Sequence, residues 1–196
     1  MIRIATVGEI GSGKSYVAKL LGFPIFNADI EVNKIYKQNY KCFLTLKKKL
    51  PKFIKSYPIK KNEILKAILA NKNNLKKITK VVHPIIRRRM TSFIKKKNKE
   101  KAIVLDIPLY FENRINKKGD IIIFVDAKKS EINNRLKRRM NFNYKIFNKF
   151  RKIQLSLKIK KKKSNFIIKN DFKNVSLKKN VKILKKKILN NERNNS

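Results

Sequence analysis

Apolar residues along this chain fall into two kinds of run. Short, β-branched and nearly unbroken runs occur at residues 2–7, 23–26, 102–105, 121–125 and 166–168. Longer stretches between them space their apolar residues for a helix. Leu75, Ile78, Val82, Ile86, Met90 and Phe93 recur at three or four residues and draw one stripe. Val17, Ala18, Leu20 and Leu21 do the same over a shorter length, closed by Gly22 and Pro24. Strands that alternate with helices predict an α/β fold with a parallel sheet covered on both faces. Two segments exceed a simple crossover. Residues 30–98 hold several helices' worth of pattern and predict a helical insertion. Residues 135–162 are long, basic and helical, ahead of the last strand.

The chemistry sits where the first strand meets the first helix. Gly8-Glu9-Ile10-Gly11-Ser12-Gly13-Lys14-Ser15 fits the phosphate-binding pattern G-x4-G-K-[S/T] without mismatch. Such a loop turns successive backbone N–H groups toward an anion, and the helix that follows adds the positive end of its dipole. Lys14 would reach the β- and γ-phosphates and the Ser15 hydroxyl would ligate Mg²⁺. In doubly wound sheets ligands lie beyond the carboxyl ends of the strands, which selects two carboxylates. Asp106 closes the third apolar run and fits a carboxylate that holds Mg²⁺ through water. Asp29 follows the second run and fits either an acceptor for a substrate hydroxyl proton or a helix N-cap.

Composition changes the picture in one respect. Across 196 residues, 53 Lys and Arg face 12 Asp and Glu, a formal charge of +41. A nucleic-acid binder would carry such an excess. The abundance of Lys together with Asn, Ile, Phe and Tyr, and the spread of lysines along the chain, favour compositional drift, so no specific nucleic acid is expected. Cys42 is the lone cysteine, which rules out an internal disulfide and a cysteine-rich zinc site. No apolar run reaches the roughly 18 residues of a membrane span, and the N-terminus enters at once into strand and phosphate loop. The expectation is a cytoplasmic protein with no membrane association, a monomer or weak oligomer.

Taken in order, several motifs resemble one family, dephospho-coenzyme A kinase. The phosphate loop resembles its G-G-I-G-S-G-K-[S/T]. Ile25-Phe26-Asn27-Ala28-Asp29 resembles I-D-A-D, and His83-Pro84-Ile85-Ile86-Arg87 resembles H-P-x-I-R. Pro108-Leu109-Tyr110-Phe111-Glu112 resembles P-L-L-F-E, and Arg135-Leu136-Lys137-Arg138-Arg139 resembles R-L-x-x-R, with Gln154 where a later glutamine is expected. Residues 163–170 resemble K-x-A-D-x-V-I-D-N. Glu9 stands in place of a glycine, so its carboxylate must turn outward or cost affinity for phosphate. Tyr16 stands where Thr is usual, and Asn27 where the first Asp of I-D-A-D would be.

The resemblance implies ATP-dependent phosphorylation of the ribose 3′-hydroxyl of dephospho-coenzyme A. It implies a three-layer P-loop kinase fold with a five-stranded parallel sheet. The nucleotide-binding core would comprise residues 1–29, 99–134 and 163–196, the acceptor-binding insertion 30–98 and a helical lid 135–162. Gly11, Ser12, Gly13, Lys14, Ser15 and Tyr16 would wrap the ATP phosphates. Asp29 would orient or deprotonate the 3′-hydroxyl, and Arg135 and Arg139 would close from the lid. His83, Arg87 and Pro108, with Asp29, would border the acceptor. Because Pro disfavours helical geometry in the residue before it, Pro84 is expected to open a new helix, with His83 at the junction. At least one of Arg87, Arg88 and Arg89 is expected to face the anionic substrate, with a solvated face the default for the other two, and Tyr110 and Phe111 are expected as loop packing. Two other readings remain: a different small-molecule or nucleotide kinase on this fold, and a nucleic-acid-binding P-loop ATPase.

Overall fold

In the computed structural model, which describes residues 1–138 and 142–193, the five short runs are five strands. They are β1 (Ile2–Gly8), β2 (Ile25–Asn27), β3 (Ala102–Asp106), β4 (Ile121–Asp126) and β5 (Phe166–Lys169). All pair in parallel, in the order β2-β3-β1-β4-β5, so β1 lies between β3 and β4. Parallel strands need covering on both faces, which explains why β1 reads as an apolar run and not as an alternation. On one face Ile2, Ile4, Val104, Ile123 and Val125 pack with Val17, Ala18 and Leu21 and with Leu177, Val181 and Ile188. Those partners come from or adjoin α1 (Lys14–Leu20) and α9 (Asn174–Arg193). On the other face Ala5, Val7, Ile103, Leu105 and Phe124 are buried. There α8 (Leu157–Lys162) packs against β1.

Contacts divide the chain into two units. The sheet belongs with α1, α6 (Lys129–Lys137), α8 and α9. The second unit holds α2 (Ala28–Gln38), α3 (Tyr40–Lys49), α4 (Lys61–Ala70), α5 (Lys72–Lys96) and nearly all of α7 (Tyr144–Ile153). The expected lid, 135–162, is therefore shared, with α6 and α8 in the sheet unit and α7 in the helical one. The reason is local. Lys149 of α7 donates from its ammonium to the carbonyls of Ile68 and Leu69, at 2.6 and 2.9 Å. A cation on the last carbonyls of a helix satisfies orphan acceptors and the negative end of the dipole together.

α5 is packed by α2, α3 and α4, and its stripe Ile78, Val82 and Ile86 is buried. Here one expectation fails. Pro84 does not open a helix; it lies inside α5, which runs unbroken for 25 residues. Burial of Val82 before the proline and Ile86 after it holds both halves on one stripe, and packing outweighs the local preference. His83 thus sits in mid-helix. Burial first, then the charge of Arg87, holds its imidazole below the ordinary value of 6.5. The unfolded chain takes up that proton at a higher pH than the folded chain does, so stability is full above about pH 6.5 and falls as the pH drops below it. Melting temperature followed from pH 7.5 to 5 should therefore fall more steeply for the parent than for His83→Gln; parallel slopes would exclude the effect.

Candidate functional site

Residues 8–14 leave the carboxyl end of β1, and their shape is held from several directions. Ser12 donates its N–H to the Glu9 carbonyl at 3.1 Å, and the Lys14 ammonium donates to the same oxygen at 2.8 Å. Asn170, just past β5, donates from Nδ2 to the Ser12 carbonyl at 2.8 Å. Gly13 caps α1 in left-handed geometry, with φ 93°, where a side chain would be strained. A Cβ there would also strike the Asn170 amide nitrogen. At Gly11 the restriction is overhead: a Cβ would meet Ile132 Cγ2 at 3.0 Å and Leu136 Cγ at 3.2 Å. The apolar face of α6 therefore rests directly on the loop. Glu9 is partly exposed, and its carbonyl accepts both the Ser12 and the Lys14 bonds inside the turn.

That seating places Arg135, one residue before Leu136, above the ring of Phe172 with 4.6 Å to the centroid. Beside it Tyr16, 38% exposed, donates its hydroxyl to Asn174 Oδ1 at 3.1 Å. The bulk of Tyr16 is thus accommodated at the surface. Gly13, Tyr16, Arg135, Asn170 and Phe172 line part of a cleft of about 120 Å³. Ser15 is exposed at the start of α1, next to buried Lys14. Arg139 lies outside the described residues.

Asp106 ends β3, the strand beside β1, and is 3% exposed. Across the register from it Asn27 donates its amide to Asp106 Oδ2 at 2.5 Å. A neutral donor at residue 27 stabilises a carboxylate that a second acid at that position would repel. Among the described residues no group of three or more His, Cys, Asp or Glu is placed to hold a metal ion. What is present is a hydroxyl and a carboxylate, hard oxygen donors. That set suits Mg²⁺, which takes one or two protein oxygens and completes its shell with water and phosphate. Asp29 is exposed in the first turn of α2, two residues beyond the end of β2. It lies inside the helix and not at its N-cap, where an acid still favours the dipole.

In the helical unit His83 and Arg87 share a shallow cleft of about 350 Å³ on α5 with Thr79, Lys80 and Pro84. Arg89 instead pairs with Glu31 at 2.9 Å, while Arg88 is exposed. Pro108 opens the turn after β3 and is half-buried. Behind it Tyr110 and Phe111 pack inward. Tyr110 donates its hydroxyl to Asp120 at 2.5 Å, and burial, with Asp120 beside it, pushes its pKa up. Glu112 turns to the buried Lys160 at 2.8 Å and accepts the Leu155 N–H at 2.8 Å. These are structural positions. Cys42 is one too: burial pushes its thiol up to about 11, far from a thiolate at neutral pH.

Sequence reasoning placed Asn170 at the end of a motif but gave it no role, and it missed Phe172 and the role of Ile132 and Leu136 as the seat of α6. A signal existed for Asn170, a polar residue at the carboxyl end of an apolar run, the same mark that selected Asp29 and Asp106. None existed for the α6 seat, which depends on which face of that helix meets Gly11.

Comparison with known proteins identifies the family. The dephospho-CoA kinase family profile matches residues 2–176. A dephospho-CoA kinase from Wolbachia pipientis is 34% identical over 170 residues, covering 84% of this chain and 87% of the relative. In fold the chain is similar to a Thermus thermophilus protein (TM-score 0.75, 24% identity, covering 91% of this chain and 93% of the other). It is also similar to dephospho-CoA kinase from Campylobacter jejuni (TM-score 0.65, 23% identity, covering 95% and 96%). With its five-stranded parallel sheet and phosphate loop, the chain belongs to the dephospho-CoA kinase family, the ATP-dependent phosphotransferases that complete coenzyme A biosynthesis.

Proposed function

We propose that residues 8–15 hold the triphosphate of ATP while the ribose 3′-hydroxyl of dephospho-CoA attacks the γ-phosphorus. The observation that carries this reading is the pinned phosphate loop at the carboxyl end of a central parallel strand, with α6 seated on Gly11 and Asp106 on the neighbouring strand. Gly11, Ser12, Gly13 and Tyr16 contribute the wrapping backbone. The Lys14 ammonium moves from the Glu9 carbonyl to the β- and γ-phosphates. Asp29 accepts the proton of the 3′-hydroxyl as its oxygen bonds to phosphorus, and the bond from that phosphorus to the β-phosphate oxygen breaks to release ADP. Ser15 and Asp106 would hold Mg²⁺, which when bound neutralises phosphate charge. Arg135 and Arg139 add cationic charge as the phosphoryl group moves, and closure of that segment excludes water.

The acceptor reading draws on His83 and Arg87 of the cleft on α5, and on Pro108, as its border. The lysines are dispersed over helices of both units, which supports a small-molecule acceptor over nucleic acid; a monomer or weak oligomer in the cytoplasm belongs to the same proposal. No described helix is long and apolar enough to cross a membrane.

Three outcomes follow. With ATP and Mg²⁺, ADP release should rise sharply when dephospho-CoA is added and yield coenzyme A; equal rates with and without the acceptor would sink the assignment. Lys14→Ala should lower kcat/KM by at least about a hundredfold, since the cation acts on phosphate throughout transfer. Asp29→Asn should lower kcat by about 10²–10⁴-fold with a small change in the KM for ATP. An Asp29→Asn enzyme with near-parental kcat would leave that side chain a structural role only.

A further inference from the structure

We infer that Asn170 is a positioning residue for the phosphate loop: its side-chain amide sets the peptide between Ser12 and Gly13 so that the Gly13 N–H faces the bound phosphates. This rests on the reading that residues 8–15 hold the triphosphate of ATP.

Asn170 is 4% exposed and is fixed on three sides. Its backbone N–H donates to the Asp126 carbonyl at 2.7 Å, tying it to the end of β4. Its Oδ1 accepts the Phe172 N–H at 2.9 Å, closing the turn that leads into α9. Its Nδ2 then has one direction left, and donates to the Ser12 carbonyl at 2.8 Å. A trans peptide is planar, with its C=O and N–H pointing opposite ways. Holding the Ser12 carbonyl toward Asn170 therefore turns the Gly13 N–H away from it. Without Asn170 the buried Ser12 carbonyl would lack this donor and the peptide would be free to rotate.

The residue type follows from the same geometry. A planar amide carries an acceptor and a donor side by side, so one group can close the turn and grip the loop. Aspartate could close the turn but could not donate. Gly13 answers to the same contact, because any Cβ there would occupy the space of the amide nitrogen. The carboxyl end of β5 is thus wired to the loop after β1, although β4 lies between the two strands.

Asn170 also lines the cleft beside Phe172, so a test must separate loop positioning from direct contact with the nucleoside. Titration calorimetry of the full chain with inorganic tripolyphosphate and with adenosine makes that separation. Asn170→Ala should weaken tripolyphosphate binding about tenfold, the effect of one hydrogen bond lost from a buried carbonyl, and leave adenosine within about twofold. Asn170→Asp keeps the acceptor for the Phe172 N–H, so the turn folds, and should show the same split. Equal losses for both ligands, or tripolyphosphate binding within about twofold of the parent, would overturn the inference. A parent chain that fails to bind tripolyphosphate removes the phosphate-loop reading as well, and is distinguished from the other outcomes by needing no variant.

Discussion

A phosphate loop cannot hold its own shape. Its glycines permit the close approach of backbone to anion, and the same freedom costs more entropy on folding than any other residue would. The shape must come from neighbours. Here it comes from the strand register that sets Gly8 beside Val125, from Asn170 on the far strand, and from α6 pressing Ile132 and Leu136 onto Gly11. Both grips reach the loop from the β4 and β5 side of the sheet, through α6, which follows β4, and Asn170, which follows β5.

The same logic explains the division of labour along the chain. Elements of the sheet unit contribute fixed geometry, a buried carboxylate at Asp106 and an arginine held over an aromatic ring. The helical unit holds the cleft on α5 lined by Lys80, His83 and Arg87, and the exposed Asp29. The link from β2 to α2 is direct: Asn27 ends the strand, Ala28 begins the helix.

Much of the fold was legible as periodicity. Five unbroken apolar runs became five parallel strands, each displaced by at most a residue or two, because burial on both faces leaves no room for polar alternation. The stripe from Leu75 to Phe93 marked α5 correctly, yet the local rule at Pro84 misled. That rule describes an isolated dipeptide and knows nothing of Val82 and Ile86 packed to either side. The loop was legible because backbone chemistry dictates its residue types. Its supports were not. Ile132 and Leu136 look like any helical core pair, and Asn170 acquires its meaning only once β5 is placed two strands away from β1.

One further consequence follows from the ion pair between Lys160 and Glu112. Lys160 is 1% exposed and Glu112 10%, so each charge depends on the other for compensation in a dry interior. Losing either member of such a pair costs about 3–5 kcal/mol, far more than losing a surface partner. Arg3 and Asp120 stand in the same relation at 3.1 Å. A chain with 53 cations and 12 acids has therefore been free to accumulate lysine on its surface, but not to give up these acids. The composition can wander only around a small set of fixed negative charges, and those charges mark where further drift would become unfolding.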